Sequence, residues 1–119
     1  MNPGERVKPK TVVLRDELSP KGSRYLSARL SENGDLSIEG QDLGSGVEEF
    51  WGAGLREYEW TIVVGAIHIG KVVAALGGTD GDDVLSLLAA RCSDNERYAS
   101  KDFLEKQGIP VEFWNRVGD

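Results

Sequence analysis

The sequence predicts an α+β fold: a four-stranded antiparallel sheet with about three helices packed on one face. Two patterns carry this reading. Strand-like alternation interrupted by turn residues fills much of residues 11–64, and 3.6-residue apolar spacing takes over from Ile69 onward. The chain has 119 residues, 39% of them hydrophobic and 29% charged, enough for one domain with its own core.

Residues 1–10 hold Pro3, Gly4, Pro9 and alternating charges, the composition of a mobile arm, and residues 11–119 form the domain. Thr11 to Leu18 is a first strand with Val12, Leu14 and Leu18 on one face. Ser19-Pro20-Lys21-Gly22 is a turn, since proline presets φ and glycine permits a positive one. Arg24 to Glu32 alternates, with Leu26, Ala28 and Leu30 inward. Asn33-Gly34 suits a type I′ hairpin turn, after which Leu36 and Ile38 point inward and Ser37, Glu39 and Gln41 outward.

Residues 43–56 are glycine-rich and read as a loop holding one short helical turn, with Phe50 or Trp51 plugging the core. Glu57 to Val64 is the fourth strand, with Tyr58, Trp60, Ile62 and Val64 inward. Ile69, Val72, Val73 and Leu76 make a helix capped by Gly77. Thr79 is an expected N-cap for a second, largely apolar helix containing Val84, Leu85, Leu87 and Leu88. Ser100 caps a third that carries Phe103 and Leu104, and Val111 to Asp119 packs as a tail. The helices then cover Leu26, Leu30, Leu36, Ile38, Trp60 and Ile62. The other sheet face presents Arg15, Tyr25, Arg29, Glu39, Gln41, Glu57, Glu59 and Thr61.

Gly65-Ala66-Ile67-His68-Ile69-Gly70-Lys71-Val72 resembles the phosphate loop of P-loop NTPases. Val72, however, stands where Ser or Thr must offer an oxygen to Mg²⁺, and the preceding strands read as hairpins rather than parallel βαβ units. Ile67, Ile69 and Val72 read instead as core residues at a helix start. Cys92 and His68 are the only residues of their kinds, and no third group orients the ring, so no nucleophilic pair is assigned. Asp80, Asp82 and Asp83 lack the later ligands of a calcium loop and read as helix-capping residues. No catalytic residue, metal ligand or cofactor is assigned, and the sequence favours a non-enzymatic role.

Charge is the remaining signal. The net charge is −6, and residues 31–70 hold eight acids against Arg56 alone, whereas residues 1–30 are net basic. An acidic chain argues against a nucleic-acid partner. No apolar run is long enough to cross a membrane, and the N-terminus has no secretory h-region, so a cytoplasmic location is expected. The expected function is a small acidic protein-interaction module that meets a basic protein surface through Glu39, Gln41, Asp42, Glu48, Glu49, Trp51, Glu57 and Glu59. In size and acidity the chain is similar to bacterial toxin-inhibiting immunity proteins, which implies an inhibitor-like role. The alternatives are a small-ligand binder or enzyme with a pocket near residues 43–56, and a homodimeric structural protein.

Overall fold

The computed structural model describes residues 10–118. Five strands form one antiparallel sheet in the order β1 (Lys10–Ser19), β2 (Gly22–Leu30), β3 (Leu36–Leu43), β4 (Glu57–Val64) and β5 (Glu112–Gly118). Four α-helices accompany it: α1 (Ser45–Trp51), α2 (Ile69–Ala75), α3 (Val84–Asp94) and α4 (Lys101–Lys106). The α+β class matches the expectation, but the expected four strands are five and the about three helices are four. The proposed arm lies outside the described residues, except for Lys10, which opens β1.

Direct cross-strand partners point their side chains to the same face, so the register defines both faces. Leu26 lies opposite Gly40, Ala28 opposite Ile38, Ile38 opposite Ile62, and Leu36 opposite Val64. These apolar side chains are buried together with Val72, Val73 and Leu76 of α2, Val84, Leu85, Leu88 and Cys92 of α3, and Phe103 and Leu104 of α4. The helical segment thus covers one face. At the centre of that face Trp60 lies flat over Gly40, where a β-carbon would sit 1.9 Å from the indole. Glycine there is a packing requirement.

Several expectations change in detail. The register of β1 shifts between Val13 and Arg15, a bulge that turns both Leu14 and Arg15 toward the covered side. Arg15 therefore points inward and is 8% exposed, whereas Leu18, expected inside, is 88% exposed. The Asn33-Gly34 hairpin exists, but only Gly34 takes a positive φ, and the loop is Ser31 to Asp35. The Asn33 side chain accepts from the Asp35 backbone N–H at 3.2 Å, an Asx turn in place of type I′. Thr79 does not cap α3; its backbone N–H donates to Asp82 Oδ2 at 2.8 Å, closing a separate turn, and Asp83 precedes the helix.

Gly77 ends α2 as expected, with φ of 82° and its N–H on the Ala74 carbonyl. Ser100 Oγ accepts from Phe103 N at 3.1 Å and caps α4. The tail Val111 to Asp119 supplies the fifth strand, which pairs with β4 from Val63–Glu112 to Glu57–Gly118. In α1 the buried anchor is Val47; Phe50 and Trp51, expected to plug the core, are 80% and 41% exposed. Ile67, expected in the core, is exposed on a 3₁₀ turn (Ala66–His68).

Candidate functional site

The face away from the helices carries the side chains that alternate with the core. From β1 to β5 it presents Val13, Asp16, Tyr25, Arg29, Ser37, Glu39, Gln41, Glu57, Glu59, Thr61, Glu112, Trp114 and Arg116. The carboxylates of Asp16, Glu39, Glu57, Glu59 and Glu112 outnumber the guanidiniums of Arg29 and Arg116. A hollow of about 290 Å³ lies among them, lined by Tyr25, Ser27, Glu39, Gln41, Glu59, Thr61 and Trp114. Aromatic rings beside carboxylates thus occupy the uncovered surface.

Glu57 and Glu59 alternate on β4 and share one cation. Arg116 on β5 reaches Glu57 Oε1 at 3.1 Å and Glu59 Oε2 at 3.7 Å, while Gln41 Nε2 donates to Glu59 Oε1 at 3.0 Å. Hydrogen bonding with Glu59, followed by the charge of Arg116 and the amide of Gln41, holds Glu57 below its ordinary 4.5, although partial desolvation opposes the shift.

The eight residues expected to meet a partner do not form one patch. Glu39, Gln41, Glu57 and Glu59 lie together on the uncovered face. Asp42, one residue beyond Gln41, necessarily points to the opposite face, where it lies 3.6 Å from Arg15 and 3.5 Å from Arg24. Glu48 and Glu49 project from α1 and are paired with Arg56 at 3.0 Å and Lys21 at 2.9 Å. Trp51 joins a row of rings: its centroid lies 5.1 Å from Phe50 and 5.2 Å from Tyr58, which in turn stacks on Trp60 at 5.3 Å.

That row borders a second hollow, a cleft of about 700 Å³ on the helix side of the sheet. It is lined by the aromatic Phe50, Trp51 and Tyr58 and by Ser19, Lys21, Ser23, Arg24 and Asp42. The cleft sits beside the glycine-rich residues 43–56. Its lining is largely apolar, and most of its charges are already paired with one another.

Sequence reasoning missed Glu112, Trp114 and Arg116 as members of the uncovered face. Their signal was the alternation Glu112-x-Trp114-x-Arg116, hidden because Phe113, Asn115 and Val117 between them do not form an apolar series.

The other candidate positions have local structural roles. Gly65 opens the 3₁₀ turn that leads from antiparallel β4 into α2, Lys71 lies within α2, and Val72 is fully buried. Cys92 is buried in α3, and desolvation, with the charge of Glu96, pushes its thiol up to about 11, opposite to the shift of an activated nucleophile. Asp83 accepts a hydrogen bond from Ser86 Oγ at 2.6 Å. Among the described residues no group of three or more His, Cys, Asp or Glu could hold a metal, and no helix is long and apolar enough to cross a membrane. Compared with known proteins, the chain matches no family model, no curated protein and no solved structure.

Proposed function

We propose that the protein is a small protein-interaction module, inhibitor-like in character, that captures a basic partner on its uncovered sheet face. The observation that supports this reading is the grouping of Glu39, Glu57, Glu59 and Glu112 around the exposed Tyr25 and Trp114. Aromatic side chains supply contact area at low entropic cost, and surrounding carboxylates steer a cationic surface into place. Asp42, Glu48 and Glu49 lie outside this patch, so the docking surface is narrower than the acidic middle third of the chain.

The test is an affinity pull-down from native lysate at low and high salt, with captured proteins identified, comparing wild type with Glu57→Lys/Glu59→Lys. Basic partners released by salt and lost from the folded double variant are expected. Capture that survives both substitutions defeats the reading.

A second reading, a small-ligand binder, is favoured by the 700 Å³ aromatic-walled cleft. A thermal-shift screen separates the two, because a compound that binds only the native state raises its melting temperature. Stabilisation by one compound, abolished by Trp51→Ala, would move the functional site to the cleft.

A further inference from the structure

The two edges of the sheet are unlike. On β1 the bulge at Val13–Arg15 interrupts the ladder, and Lys10, Asp16 and Glu17 place charge along it, devices that discourage pairing with another chain. On β5 the register runs unbroken beside β4, with no proline and no bulge. Among the described residues no strand lies on its other side, and Glu112 to Gly118 make no backbone hydrogen bonds beyond those of the ladder. β5 is an unbroken, unpaired edge of the described sheet.

Its sequence also complements itself. In an antiparallel pair of identical strands centred on Trp114, Glu112 of each copy lies opposite Arg116 of the other, and Phe113 lies opposite Asn115. Moving the centre one residue either way loses both Glu–Arg pairs. Glu112 has no cation partner among the described residues, whereas Arg116 is about half exposed and can share its charge. Trp114, 53% exposed, meets its symmetry mate at the dyad.

We propose that the protein forms a symmetric dimer by antiparallel pairing of β5 with β5 of a second copy, centred on Trp114. The dyad runs perpendicular to the sheet, so the two five-stranded sheets continue into one and both uncovered faces look the same way. The ladder hydrogen bonds fix the two strands together, while the two Glu112–Arg116 pairs select the register. The dimer takes Glu112 and Trp114 from the edge of the proposed basic-partner patch and leaves Tyr25, Glu39, Glu57 and Glu59 accessible.

Sedimentation equilibrium over a concentration series is the first measurement, and the mass is expected to rise from monomer toward dimer. Trp114→Cys tests the register. Opposed α-carbons across an antiparallel pair lie about 4.5–5.5 Å apart, inside the disulfide range of roughly 4.4–6.8 Å. Under a mild oxidant this variant is expected to cross-link to itself. Glu112→Cys and Arg116→Cys should each fail alone and cross-link when mixed, and the buried Cys92 does not compete. Glu112→Arg places like charges opposite Arg116 and is expected to weaken the dimer roughly tenfold. A monomer at every concentration, or a dimer in which Trp114→Cys does not cross-link, overturns the proposal.

Discussion

Arg15 of β1 bonds Glu96, 81 residues away on the 3₁₀ turn after α3, and lies 3.6 Å from Asp42 of β3. One buried guanidinium therefore ties the sheet edge to the helical layer. Removing it leaves Asp42, which is largely shielded, without its inner partner. Arg15→Ala should lower stability by about 2–3 kcal/mol, read from the urea midpoint. Arg15→Met with Asp42→Leu, which replaces the ionic pair by packing, should recover most of that loss.

Gly40 and Trp60 form a second obligatory pair. A methyl group at position 40 would enter the indole ring, so Gly40→Ala must displace Trp60. The expected cost is about 1–3 kcal/mol, accompanied by a change in tryptophan emission. Combining it with Trp60→Leu should restore part of the stability lost to the clash; a double variant no better than the sum of the singles would contradict this coupling.

Glu57 should keep its charge in mild acid. Glu57 is held below 4.5 by Glu59, Arg116 and Gln41, so its negative charge persists at pH values where a free glutamate is half protonated. Its contribution is present above the ordinary value and is lost only as pH falls through the lowered one. Arg116→Met removes one of the causes and should move the Glu57 titration upward, as followed by carboxyl NMR. If the face captures a basic partner as proposed, that capture should fade at correspondingly higher pH in this variant.

Cys92 should behave as an inert core residue. Its thiol is pushed from 9.0 to about 11, so the folded state favours the neutral form. That contribution to stability is whole below about pH 9 and disappears as pH rises through 11. Alkylation of the native protein at neutral pH should be slow and should accelerate with urea in step with unfolding. Rapid native-state labelling would contradict the packing of α3.

Much of this fold was legible because local chemistry and tertiary burial agree. Leu26, Ala28, Leu36, Ile38, Ile62 and Val64 alternate in sequence and sit in the core as their spacing implies. Ser100 and Gly77 terminate helices where capping chemistry places them. The failures occur where one residue changes parity or where burial does not follow size. The bulge at Val13–Arg15 adds a residue to β1 and reverses the faces beyond it, which period-two reading cannot anticipate. Phe50 and Trp51 are large yet exposed, because Val47 alone anchors the short α1.

Of the candidate site, Glu39, Gln41, Glu57 and Glu59 were legible from alternation. The separation of Asp42 follows from the same rule applied one residue further. The contribution of β5 was not legible, because an edge strand alternating Glu, Phe, Trp, Asn and Arg has no apolar side to betray it.

Strands β1 to β4 follow one another along the chain and also across the sheet, joined by two short turns and by the segment that holds α1, so each ladder can zip onto its predecessor. β5 reaches its place only after residues 65–111 have laid down the helical layer. Closing that long loop makes it the last strand to dock and, in a monomer without a second copy on its outer edge, the first to fray. Its amides should surrender deuterium protection before those of β3, and each opening would lay bare the flank of β4 beneath the aromatic row.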